Sequence, residues 1–136
     1  MYRKLVPVLL IALVLALSGC KKDSDIEGFI KDFDGLTTDL VKTIESSPTS
    51  AGIDEAQKKL DAKKADLKTR LAALKELRGF QVSKESLEKL TKSITDNAQK
   101  LTGLSTKISS EAIKNKDFTM PTKFASFLKS YTEILQ

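Results

Sequence analysis

From Ile26 to Leu135 the apolar residues of this chain return every three or four positions, and nowhere do they alternate with polar ones. That spacing marks one face of a 3.6-residue turn, so helices are the regular elements able to bury these side chains together. The pattern divides into four segments. The first, over 25–46, carries Ile26, Phe29, Ile30, Phe33, Leu36, Leu40, Val41 and Ile44, and Ser46-Ser47-Pro48 ends it. Ser24 with Glu27 three residues on reads as its capping box. The second, over 53–78, carries Ala56, Leu60, Leu67, Leu71, Leu74 and Leu77, with Lys63 and Lys64 at the edge of the seam. Gly79 suits a left-handed C′ position after it, with Phe80 folding back on Leu74.

The third segment, 83–114, has the most regular stripe: Leu87, Leu90, Ile94, Leu101, Leu104 and Ile108. Asn97 falls where a leucine would sit, either fixing register, or satisfied in the core, or turned to the rim. The fourth, 120–135, buries Phe124, Phe127, Leu128, Tyr131, Ile134 and Leu135, with Pro121 in its first turn. Connections at 47–52, 79–83 and 115–119 are short, which favours antiparallel neighbours. The expected fold is all-α: an antiparallel bundle of three long helices plus a short C-terminal helix. Aromatics concentrate at Phe29, Phe33, Phe124, Phe127 and Tyr131, predicting that the last helix packs on the first.

Composition removes several chemistries. The chain of 136 residues has no histidine and one cysteine. His-based triads, His-ligated zinc or haem, internal disulfides and CxxC redox pairs are therefore out of reach. The charge of +5 is mixed along the chain, with no lysine and arginine stripe interleaved with aromatics. Neither a nucleic-acid partner nor an enzyme, cofactor or metal is expected.

The first 20 residues have a different character. Arg3 and Lys4 precede Leu5–Leu17, 13 residues without a charge. As a helix that run spans about 20 Å, short of the ~30 Å hydrocarbon core, and suits a signal-peptide h-region. Leu17-Ser18-Gly19-Cys20 resembles the lipobox of bacterial prolipoproteins. The resemblance implies a diacylglyceryl thioether on Cys20, cleavage between Gly19 and Cys20, and acylation of the new amine. Several acyl chains hold a protein to a membrane firmly where one does so marginally. Residues 1–19 are then a cleaved signal peptide, 20–24 the lipidated cysteine with a short tether, and 25–136 the bundle domain. Losing Arg3 and Lys4 takes the formal charge from +5 to +3. The sorting rule of enteric bacteria retains aspartate-bearing lipoproteins at the inner membrane. Lys21 stands in that position here, which favours the outer membrane. The chain lacks the C-terminal lysine of the murein-linked major lipoprotein.

One polar face stands out. Asp25, Gly28, Asp32, Gly35 and Asp39 recur at three and four residues on the back of the first helix, the glycines leaving gaps between carboxylates. Two readings stand: a shallow acidic groove for a partner's basic group or helix, or a solvated face. Asp25, Asp32 and Asp39 are a heptad apart, about 10.5 Å, too far to share an ion. Taken together, the expectation is an acyl-anchored, non-enzymatic envelope lipoprotein serving as a structural or protein-interaction module. The alternatives are a periplasmic chaperone or stress-response bundle, which needs an exposed apolar patch, and an inhibitor or immunity-type lipoprotein acting through the acidic face.

Overall fold

The computed structural model describes residues 6–79 and 81–136, with side chains described from Lys22 onward. Arg3, Lys4, the side chains of the Leu17–Cys20 lipobox and the expected contact of Phe80 with Leu74 lie outside the described residues. Five α-helices follow one another: α1 (Val6–Ser46), α2 (Ser50–Lys75), α3 (Lys84–Thr102), α4 (Ser105–Asn115) and α5 (Met120–Thr132). A 3-10 turn over Glu133–Leu135 closes the chain, and the described residues contain no strand.

Side-chain pairs between helices fix the topology. Asp39 meets Lys59 and Asp32 meets Arg70, so α1 and α2 run antiparallel. Asp23 meets Ser83 and Asp34 meets Ser93 and Asn97, so α1 and α3 are parallel. Asp54 meets Lys123 and Lys64 meets Glu133, so α2 and α5 are parallel. The principal neighbours are α1 with α2 and α3, and α5 with α2 and α4. The bundle is therefore two antiparallel hairpins, α1–α2 and α3/α4–α5, laid side by side. The first and third connections join neighbours as expected, whereas α2 and α3, on either side of the second connection, lie diagonally across the bundle.

This arrangement corrects the expected seat of the last helix. α5 lies diagonally across from α1, and the two meet through large side chains in the middle. Phe29 stacks on Phe33 at 5.4 Å between ring centroids, and Phe33 on Tyr131 at 5.5 Å. Of the aromatics on these two helices, Phe33 and Tyr131 form the stacked pair that meets across the diagonal. Ile26, Leu40, Ile44, Ile53, Leu60, Leu67 and Leu71 fill the α1–α2 seam around them, and Leu101, Ile108, Met120, Phe124 and Phe127 fill the other hairpin.

The single helix expected over 83–114 is two. Gly103 and Leu104 stay near right-handed helical angles, but the Leu104 amide reaches back only to Leu101, tightening one turn. The kink lets α3 lie on α1 while α4 lies on α5. The buried meridian of α3 is also rotated from the apolar stripe. Ser86, Ser93 and Asn97 face inward, Leu90 and Ile94 are half-buried, and Leu87 is 41% exposed.

Helix limits differ from expectation for local reasons. α1 runs unbroken through Ser24, so no capping box starts there, and Lys22–Ser24 of the expected tether are helical. Asp23 already accepts the Ser83 amide at 2.8 Å. α2 starts three residues early because Thr49 caps it, its hydroxyl accepting the Gly52 amide at 3.1 Å. Gly79 is not left-handed: among the described residues the one positive φ belongs to Lys116, at 54°.

A candidate interaction face on helix α1

The face carrying Asp25, Gly28, Asp32, Gly35 and Asp39 lies along the α2 edge of α1. It is stitched to that helix rather than left open. Arg70 on α2 donates to Asp32 at 2.7 Å and to its own-helix Asp66 at 3.4 Å. Lys59 donates to Asp39 at 3.1 Å and to Thr43 at 3.0 Å. Among the described residues, Asp25 pairs with Lys22 of its own helix, at 3.9 Å. Bonding to Arg70 holds the Asp32 carboxyl below the usual carboxylate range, and Asp32 in turn raises the guanidinium. The three aspartates remain about half exposed, 52–56% by side chain. These are water-screened pairs, each contributing little to stability.

The two glycines serve different purposes. Gly28 sits beneath the Arg70 guanidinium: a Cβ there would lie 3.8 Å from Nη2. With Ser24, Asp25, Ala73 and Leu74, the two line a shallow depression. Arg70 also covers the Phe29 ring at 5.9 Å, so Gly28 leaves room for a cation lying flat across the seam. Gly35 has nothing within 4 Å of its missing Cβ and opens to solvent.

Asp34, which belongs to neither the stripe nor this face, organises the opposite side of α1. Its Oδ1 accepts the Ser93 hydroxyl at 2.6 Å and the Asn97 amide at 2.5 Å, and Asn97 also donates to Ser93 at 3.2 Å. Asn97 is fully buried, and its Oδ1 has no hydrogen-bond partner. One turn further along, buried Thr37 shares a 2.6 Å hydrogen bond with the Tyr131 hydroxyl. Burial pushes the Tyr131 phenol well up, with the bond to Thr37 partly opposing it. Sequence reasoning left Asn97 open between register, core and rim, and missed Asp34, Ser86 and Ser93. The signal was there in serines at 86 and 93, a heptad apart and one position from the leucine stripe.

Lys64, expected at the edge of the seam, bridges the hairpins instead, donating to Ser130 at 3.0 Å and Glu133 at 2.9 Å. Lys63 is exposed. Among the described residues no three His, Cys, Asp or Glu side chains are grouped to hold a metal ion. No helix among them is long and apolar enough to cross a membrane. Comparison with known proteins finds no family model, curated protein or solved structure that matches the chain.

Proposed function

We propose that this chain is a bacterial envelope lipoprotein, a helical bundle held to a membrane by acyl groups on Cys20 and acting as a non-enzymatic structural or interaction module. The observation that carries this reading is Leu17-Ser18-Gly19-Cys20, ending on the sole cysteine and following a short uncharged run with Arg3 and Lys4 before it. The bundle's own construction suits an anchor at that place. Asp23 and Ile26 are tied into the fold within two turns of Cys20, so a lipid there would hold the bundle close to the bilayer. Lys21 and Lys22 would then lie among headgroups, each adding about 1 kcal/mol on an anionic surface. Lys21 after the cysteine favours the outer membrane over the inner.

The protein partner belongs to the acidic face in this proposal. Asp25, Asp32 and Asp39 keep half their surface, and Gly28 and Gly35 leave gaps beside them. A basic partner would exchange with Lys59 and Arg70 for these carboxylates. No observation favours the chaperone reading. The large exposed apolar residues described are Leu87, at one end of the bundle, and Ile113 with Phe118 at the other, not one continuous patch.

The first test is the mass of the protein extracted from membranes, beside a Cys20→Ala variant. A chain starting at Cys20 and carrying diacylglyceryl and N-acyl groups is expected, and the variant should lose both and keep its signal peptide. An intact, unacylated 136-residue wild-type chain would overturn the proposal. Crosslinking in cells with an Asp32→Lys variant tests the face: loss of a specific adduct supports it, and an unchanged adduct removes it.

A further inference from the structure

The turn between α4 and α5 displays the two most exposed large apolar side chains described, Ile113 at 70% and Phe118 at 74%. We propose that this turn is a lipid-contacting tip, which inserts Ile113 and Phe118 into an anionic phospholipid surface and sets Lys116 against its phosphates.

Three observations lead there. The turn is ordered by its own bonds rather than loose. Asp117 accepts the Ser50 hydroxyl at 2.5 Å on one oxygen, and the Thr119 amide and hydroxyl at 3.1 and 2.6 Å on the other. Its carboxylate is thus drawn inward, below the usual range, and Glu111 is paired with Lys114 at 2.8 Å. The charge left outermost between the two apolar residues is that of Lys116, for which the described residues supply no ion pair.

Size is the second observation. Ile113 and Phe118 are the exposed large apolar side chains described at this end, and a phenylalanine buries only roughly 150–250 Å² when covered. Adding an isoleucine leaves the tip far short of the about 800 Å² per partner of a stable protein interface. A small apolar pair beside a free lysine suits the boundary between acyl chains and headgroups.

The third is Lys116 itself. It occupies the left-handed C′ position of a Schellman turn, with the Lys116 amide on Ile113 O and the Asp117 amide on Ala112 O. Glycine would take that position without strain, so a cation held there at a cost in backbone energy points to a use for its charge. The tip is at the pole away from Cys20, about 36 Å along α1 from Lys22 to Ser46. It faces a different lipid surface from the one at that end of α1, and it does not depend on acylation of Cys20.

The chain has no tryptophan, so Phe118→Trp in the full chain gives a single probe at the tip. The probe is read with vesicles of equimolar phosphatidylethanolamine and phosphatidylglycerol, with and without brominated acyl chains. Expected are blue-shifted emission and quenching by bromine. Adding Lys116→Gly should weaken the titration about fivefold, and Ile113→Ser roughly tenfold or more. Lys116→Gly removes the charge while relieving the backbone, so its loss of binding cannot come from unfolding. An emission that stays aqueous and unquenched overturns the proposal, as a tip built for a protein partner would give. Quenching indifferent to both added substitutions overturns it too.

Discussion

Among the described residues, Tyr131 and Thr37 form the one buried hydrogen bond joining the diagonal helices, and both side chains are at or below 1% exposure. Removing the phenol oxygen strands the Thr37 hydroxyl away from water. Tyr131→Phe should therefore cost about 1–3 kcal/mol in urea unfolding, and adding Thr37→Val should recover most of that loss. A double variant no more stable than Tyr131→Phe alone would count against the account. Lys116 makes the opposite prediction. Its φ of 54° is unstrained for glycine, so Lys116→Gly should raise stability by about 1 kcal/mol, read from the urea midpoint at unchanged slope. Asn97 has a more even balance. Its amide helps to satisfy Asp34, while its buried Oδ1 goes without a partner, so one side chain both mends and opens a polar deficit.

Helix α5 was legible in the sequence and α3 was not, for a physical reason. The face of α5 and of the turn after it is set by large residues that had nowhere else to go: Phe124, Phe127, Tyr131 and Ile134 are all buried. The leucine stripe of α3 was more regular but not decisive. Once Asp34 takes Ser93 and Asn97, the helix rolls until small polar residues face α1, and Leu87 moves outward. An apolar period reports which side chains could be buried, while a half-buried carboxylate on another helix decides which are. The acidic face was legible as a set of positions, Asp25 to Asp39, but not in its state. Lys59 and Arg70 lie 20 and 38 residues away from the aspartates they bond, beyond any local pattern. The glycines separate in the same way. Gly35→Ala, with open space around its Cβ, should gain about 0.5–1 kcal/mol. Gly52 is buried in the first turn of α2, where a Cβ would fall 1.8 Å from the Ser47 carbonyl oxygen. Gly52→Ala should cost about 2 kcal/mol or more and open the α1–α2 turn. Thermal melts of the two alanine variants should bracket the wild type.

For the whole molecule, pH is the broadest test. Bonding to Ser83, Arg70, Lys64 and Ser50 respectively lowers Asp23, Asp32, Glu133 and Asp117. Groups lowered in the folded state stabilise it above their unfolded range near pH 4, and that contribution is lost as pH falls through the lowered values. Lys64, Lys89 and Lys92 are raised by their carboxylate partners, so their contribution is complete below about pH 10 and is lost only as pH rises through the raised values. With no histidine between these limits, the melting temperature should be flat from about pH 5 to 9 and fall on both sides. A step near pH 6–7 would contradict it. The side-by-side hairpins have a further consequence. Residues 76–83 link them covalently, and the other bonds described between them each involve a side chain. A chain nicked there would leave two halves, each with its own turn and half of the core, able to complement one another in trans. Intact chains crowded on one surface could exchange their second hairpins with neighbours, making an interlocked pair with the same internal contacts and no new interface.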